Sequence, residues 1–345
     1  MTPLLAKLAT GSDLNSNDVA YAVTLLLSER VPADEKAAFL TKLHEKGETA
    51  EEIAAFVDRL IERAIDPMID PTNLPGPMLD VCGTGGAGLN IFNVSTTIMF
   101  ILAAAGVVVV KHGNRSVTST CGSADVLEAL GIRLEWTPED LRECVERLGV
   151  GFIYARYYHP AFRALAEMRS QLALANQRTV FNLLGPLLNP ARPQRQLIGV
   201  YLPRLTTVFA EVLRRLGRER AWAVHGLVEN GSGFDNVSTS GVTTLAELVD
   251  GRVTSAVLDC RWLGVPEAPH TELRGGAATE NAHTLIGILS GEVKGAKRDL
   301  ALVNAAAGFV VSGLVHDMAD GIALAREQIE NGRALEKLRA LQSYS

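Results

Sequence analysis

At 345 residues, with 47% hydrophobic and 21% charged positions, the chain has the composition of a soluble globular protein of about two domains. Its formal net charge of −6 argues against a general nucleic-acid binder, and its four scattered cysteines include no C-x-x-C pair, so no metal-thiolate or disulfide framework is implied. No charged-then-apolar leader opens the sequence, and the apolar run from Ile98 to Val110 is too short to span a bilayer. The expectation is a cytoplasmic protein without membrane contact.

Residues 1–65 read as short amphipathic helices. Ser16 or Asn17 can cap a helix running to Arg30, and Pro32 marks the start of another running to Lys46, which Gly47 ends. Thr49 and Glu52 make a capping box for a third helix, from Ala50 to Ile65. Nothing catalytic is visible here, so a small helical domain or an oligomer contact is expected. Pro67, Pro71, Pro75 and Pro77 then make a stiff connector and candidate hinge. The division expected is a helical domain over 1–70, with a further helical contribution from about 158–190, and an α/β domain over 71–345.

Two glycine-rich turns follow, one strand-helix-strand unit apart. The first runs Gly83-Thr84-Gly85-Gly86-Ala87-Gly88 to Asn93, Ser95 and Thr96 after a strand at Met78–Cys82. The second runs Lys111-His112-Gly113-Asn114-Arg115-Ser116 to Gly122-Ser123, with Thr118 and Ser119 inside it. Between them, Ile98 to Ala105 reads as a buried helix, Gly106 as its cap, and Val107 to Val110 as an interior parallel strand. Parallel strands joined by right-handed crossovers place their following loops on one sheet edge. Both turns should face one crevice, where freed backbone N–H groups, a helix N-terminus and the cationic second loop favour a phosphate-rich ligand.

Further along, helices are expected over Gly122 to Leu130, from Pro138 to Leu148 and from Ala161 through Arg169 and Leu172. Strands are expected at Phe152 to Ala155, Leu197 to Tyr201 and Ala221 to His225. The loop holding Asp235 and Asn236 falls at the same carboxyl edge, so Asp235 is either a metal or hydroxyl contact or a solvated loop aspartate. Gly275-Gly276 and Glu280-Asn281-Ala282 precede a helix with an apolar face from Leu302 to Val311, and the last polar helix reads as surface.

Taken together, the two loops with His159-Pro160, Arg178-Thr-Val-Phe-Asn182 and Gly275-Gly276…Glu280-Asn281-Ala282 closely resemble the anthranilate phosphoribosyltransferases of tryptophan biosynthesis, over nearly the whole chain. Lys111-His-Gly-Asn-Arg115 and the glycine-rich loop are shared more loosely with pyrimidine nucleoside phosphorylases. The resemblance implies a small helical domain hinged to an α/β domain with a mostly parallel sheet, assembled as a homodimer through the helical parts. It implies transfer of a phosphoribosyl group from phosphoribosyl pyrophosphate to anthranilate with Mg²⁺. On that analogy Gly83, Thr84, Gly85 and Gly86 cradle the pyrophosphate region, and Asn93, Ser95, Thr96, Lys111 and Ser123 hold the donor. Gly83, Asn114, His159 and Arg169 hold the aromatic acid, and Ser95, Asp235 and Asn236 are the metal positions.

The sequence departs from that family where Ala87 stands in place of aspartate and Asn236 in place of glutamate. The segment from Leu172 to Arg178 is about two residues longer, and Leu227 to Phe234 is extended. Mg²⁺ prefers anionic oxygens, so weaker or altered metal use, or a donor such as a ribose 1-phosphate or nucleoside, is expected. Two alternatives stay open: a divergent paralogue with another aromatic acceptor or a nucleoside-phosphorylase-like reaction, and a catalytically silent ligand- or nucleic-acid-binding protein on the same fold.

Overall fold

A computed structural model describes the chain except residues 86–87, 117–119 and 176, with the side chains of Ser170 and Ala173 also outside the described set. Four helices open it: α1 (Thr2–Ala9), α2 (Ser16–Leu26), α3 (Ala33–Lys46) and α4 (Ala50–Ile61). The cap of α2 is Asn15 rather than Ser16 or Asn17, because only Asn15 has an acid three residues on. Its Oδ1 accepts from Asn17 N and Asp18 N while Asp18 returns a bond to Asn15 N. α2 stops at Leu26, short of Arg30, since a tight Ser28 N to Leu25 O turn precedes the extended approach to Pro32. α4 keeps the Thr49–Glu52 box but ends at Ile61, and Ile65 N is taken by Tyr158 O. Glu52 is fully buried and accepts from Leu14 N, Thr49 N and Lys46 Nζ, tying α3 and α4 to the loop before α2.

The sheet comprises β1 (Met78–Gly83), β2 (Val108–Gly113), β3 (Val150–Tyr154), β4 (Arg195–Gly199), β5 (Arg220–Leu227), β6 (Gly233–Phe234), β7 (Thr243–Val249) and β8 (Arg252–Leu258). Its order is β3-β2-β1-β4-β5-β7-β8, with β6 on β5. The first five strands are parallel, and β6, β7 and β8 are antiparallel. The β7–β8 hairpin has no counterpart in the sequence reading. Asp250-Gly251 was its signal: φ is +50° and +72°, the primed two-residue turn that Asp-Gly favours.

Among the described residues the further helices are α5 (Val94–Ala104), α6 (Ser123–Ala129), α7 (Pro138–Leu148), α8 (Ala155–Tyr158), α9 (Ala166–Leu174), α10 (Phe181–Leu184), α11 (Leu205–Arg215), α12 (Ala278–Leu289), α13 (Ala296–Ser312), α14 (Met318–Glu330) and α15 (Arg333–Tyr344). One sheet face carries α5 and α12 to α15. The other carries α1 to α4 with α9, α10 and α11, packed on Ile198, Ala221, Ala223, Ala246 and Leu248. α15 is not a free surface helix. Ala334, Leu338 and Leu341 are buried, and Tyr344 stacks on Trp136 at 5.5 Å. Its apolar positions are spaced three to four apart among charged ones, which hides an amphipathic helix in polar composition. All four cysteines are buried and unbridged.

Candidate functional site

The strand order reverses at β1, which runs between β2 and β4, so the crevice outside the strand ends opens there. The loop after β6 lies flat across three strand ends because each offers a glycine. A Cβ on Gly199 would sit 1.8 Å from Asp235 O, one on Gly83 2.2 Å from Asp235 Oδ2, and one on Gly226 2.5 Å from Asn236 O. Asp235 Oδ2 then accepts from Gly85 N at 2.8 Å and anchors the first glycine loop.

From the middle of α13, Asn304 pins the same shelf. Its Oδ1 accepts from Val237 N and its Nδ2 donates to Val237 O, both at 2.9 Å, with Asn304 only 2% exposed. Sequence reasoning passed over it, although a lone asparagine inside the apolar run Leu300–Val311 is a cue that a buried backbone segment needs partners. Asn304→Leu should lower unfolding free energy by about 2–4 kcal/mol, because it leaves a buried N–H and C=O unpaired. Urea denaturation checks this.

Lys111, 2% exposed, threads under the first loop and donates from Nζ to Val81 O at 2.5 Å and Ser95 Oγ at 3.2 Å. Burial pushes its ammonium below the usual lysine range, opposed by Cys82, Asp80 and Asp235. Asp80 is itself fully buried and raised by that burial, while accepting from His112 N and Asn189 Nδ2. At the first turn of α5, Ser95 N and Thr96 N meet no acceptor among the described residues, and the Thr96 hydroxyl is buried without a partner. A cation and open helix N–H groups converge on one spot, which suits an anion.

The second loop is closed on itself by Asp125, which accepts from Ser116 N, Gly122 N and Arg115 Nη1. Arg115 also forks onto Glu128 at 2.7 Å and reaches Tyr154, so its charge braces the loop rather than facing the crevice. Asn114 Oδ1 accepts from Arg115 N, and Ser123 Oγ donates to Asn114 O at 3.4 Å. Thr84 N bonds Gly199 O, and its hydroxyl reaches Gly85 O. Gly86, Ala87, Thr118 and Ser119 lie outside the described residues.

His159 follows α8 and is 3% exposed. A carbonyl only accepts, so the 2.8 Å contact to Leu188 O puts the proton on Nε2 and leaves Nδ1 as an acceptor. The ring stacks on Phe162 at 5.2 Å and meets the edge of His112 at 5.4 Å. Arg169 on α9 lies over the Phe181 ring at 5.7 Å and has no acidic partner among the described residues. Burial, then the charge of Arg156, pull its guanidinium below the usual range. Phe162 and Phe181, 6.0 Å apart, thus join a neutral imidazole to a cation that has no acidic partner among the described residues.

Burial lowers His159 to about 4 and His112 well below its ordinary value. A histidine depressed in the folded state contributes stability that is complete above about pH 6.5 and is lost as pH falls toward the folded value. Stability should therefore be flat on this account from pH 7 upward and decline between about pH 6.5 and 4. A His159→Phe variant should decline less over that window in a thermal-melt series.

Family models match the chain in two consecutive pieces: residues 2–64 match the helical bundle domain of a glycosyl transferase family, and residues 75–335 match its a/b domain. An anthranilate phosphoribosyltransferase of Methanocorpusculum labreanum is 43% identical over 98% of this chain and 96% of its own length. One from Anaeromyxobacter dehalogenans is 42% identical over the same shares. The crystal structure of the Thermus thermophilus enzyme covers 99% of this chain and 98% of its own, with a TM-score of 0.89 and 37% identity. That of the Saccharomyces cerevisiae enzyme in complex with PRPP and Mg covers 99% and 97%, with a TM-score of 0.86 and 26% identity.

Proposed function

The chain belongs to the anthranilate phosphoribosyltransferase family, and we propose that it transfers a phosphoribosyl group from phosphoribosyl pyrophosphate to the amine of anthranilate, releasing pyrophosphate. The observation that carries this reading is an α5 N-terminus that, among the described residues, is open beside Lys111, together with an Arg169 that has no acidic partner among those residues and is joined to the neutral His159 through the Phe181 and Phe162 rings. On this reading Gly83 to Gly86 with Thr84, Ser95, Thr96, Lys111 and Ser123 hold the donor. Asn93, at the start of α5, belongs to the same donor site. Gly83, Asn114, His159 and Arg169 hold anthranilate.

The C1–oxygen bond to pyrophosphate breaks with its electron pair kept on the leaving oxygen, the amine nitrogen bonds C1, and one amine proton passes to the departing pyrophosphate or to water. Negative charge grows on the leaving group, where backbone N–H groups and Lys111 offset it. His159, neutral, with Nε2–H held by Leu188 O, offers Nδ1 to accept a hydrogen bond from the amine. Arg169 fixes the carboxylate, which sets the angle of attack.

The crevice wall offers Mg²⁺ few anionic oxygens of its own. Among the described residues no cluster of three His, Cys, Asp or Glu side chains exists, and Asp235 is the one carboxylate beside Asn236 and Ser95 on the crevice wall. One carboxylate with a neutral amide and hydroxyl fits a cation that takes most of its oxygens from substrate phosphates, so Asp235, Asn236 and Ser95 would hold it. When bound it supplies charge neutralisation of the departing pyrophosphate. Asn236→Glu should lower the Mg²⁺ concentration for half-maximal rate by about tenfold, since a second anionic oxygen strengthens the site. A Mg²⁺ titration of initial rates reads this directly.

We further propose work in tryptophan biosynthesis in the cytoplasm, as a homodimer joined through the helical part. No described helix is long and apolar enough to cross a membrane, and Tyr21 stands half exposed on α2. The two-domain division proposed is 1–70 with about 158–190, and 71–345. A turnover assay with anthranilate and phosphoribosyl pyrophosphate across a Mg²⁺ series decides the main reading. Absence of phosphoribosyl anthranilate at saturating substrates would sink it.

A further inference from the structure

Asn93 occupies the N-cap position of α5 yet makes no side-chain cap. Asparagine is among the best N-cap residues, and its oxygen ordinarily takes an N–H of the first turn. Here both ends of its amide are committed elsewhere. Oδ1 accepts from Asn281 Nδ2 at 2.9 Å, and Nδ2 donates to Cys121 O at 3.3 Å. Asn281 is 3% exposed and held rigidly, with Oδ1 accepting from Gly276 N at 2.9 Å and Nδ2 also reaching Gly276 O at 3.2 Å. The approach is close because residue 275 is glycine: a Cβ there would lie 2.8 Å from Phe92 Cα and 2.9 Å from Asn281 Oδ1. Residues 90–92 are zipped to 273–275 by Gly275 N to Asn90 O, Asn90 Nδ2 to Gly275 O and Phe92 N to Leu273 O.

The consequence is at the helix end. With Asn93 drawn away, Ser95 N and Thr96 N stay open and the buried Thr96 hydroxyl stays unpartnered among the described residues. We infer that Asn281 is a positioning residue that keeps the α5 N-terminus uncapped, so that its N–H groups are available to the anionic donor. Without Asn281, Asn93 falls back into the ordinary capping geometry and occupies the donors that the phosphate needs. The inference rests on the functional reading above, with the anion at α5.

The test uses the full-length protein and inorganic pyrophosphate as probe, followed by calorimetry. Asn281→Ala should bind pyrophosphate at least tenfold more weakly than the native chain, and Asn281→Ala/Asn93→Ala, in which residue 93 cannot cap, should bind it at least threefold more tightly than Asn281→Ala alone. A merely structural role for Asn281 gives no such recovery. If Asn281→Ala fails to fold, a second pair decides the matter with Asn281 intact. Asn93→Ser and Asn93→Ala both lose the bridge, but serine caps and alanine does not. The serine variant should melt higher and bind pyrophosphate more weakly. A double variant no tighter than Asn281→Ala, an Asn281→Ala variant as tight as the native chain, or a serine variant at least as tight as the alanine one would each overturn the inference. A native chain that binds pyrophosphate but transfers nothing to anthranilate overturns the functional reading alone, and one that binds no pyrophosphate overturns both.

Discussion

Replacing Arg169 by leucine should raise KM for anthranilate about a hundredfold or more, leave KM for phosphoribosyl pyrophosphate within about twofold, and lower kcat by less than tenfold. Removing one member of a desolvated, hydrogen-bonded charge pair costs about 2–5 kcal/mol, and each 1.4 kcal/mol is tenfold in affinity. Arg169 is the group for which that cost applies, because its guanidinium is held on the Phe181 ring, pushed down by burial and Arg156, and paired with no carboxylate among the described residues. A contact made alike in ground and transition states appears in KM rather than kcat. Arg169→Lys should recover part of the loss, since it restores charge without the planar fork. The same site gives an independent sign. Leucine relieves a buried cation, so the melting temperature without substrate should hold or rise. A fall in both stability and donor affinity would instead make Arg169 a structural strut.

Gly199→Ala should cut kcat/KM by about a hundredfold and lower unfolding free energy by about 2–4 kcal/mol. The added methyl would lie 1.8 Å from Asp235 O and 2.3 Å from its carbonyl carbon, both backbone atoms with no rotamer to yield. Either the strand end or the Asp235 shelf must move. Asn304 grips Val237 on one side and Gly85 N grips Asp235 on the other, so displacement of the shelf carries the first glycine loop with it. Gly76→Ala is the internal control. It meets nothing within 4 Å and has no positive φ, so it should leave activity unchanged and stability within about 0.5 kcal/mol. Denaturation curves and initial rates on the two variants separate local crowding from a general intolerance of alanine.

The crevice itself was legible because its signals are local. Glycine spacing, the four-residue β-branched run before Lys111 and the shared hand of crossover connections together placed both loops on one edge. Capping chemistry was legible where a reciprocal partner sits three residues on, as at Thr49 and Glu52, and misread at Asn15, where Asp18 supplied that partner and the neighbouring residues had none. The β7–β8 hairpin carried its signal in Asp250-Gly251 and was passed over, since β7 lacks strict alternation. α15 was misread because its apolar positions are few.

Residue types along the chain determined the elements, the phosphate-suited loops and the family to which the protein belongs. Only the folded chain decided what each polar group faces. Arg115 reads as loop cargo but is spent on Asp125, Glu128 and Tyr154, while Asn93 reads as a donor ligand and its side chain is drawn off by Asn281 from nearly two hundred residues away. Asn304, alone in an apolar run, signals that some buried backbone needs partners, but only the fold shows that the backbone is Val237. The reason is physical: helix, strand and cap preferences depend on neighbours within a few residues, whereas a buried hydrogen bond is settled by whichever donor and acceptor the packing brings together.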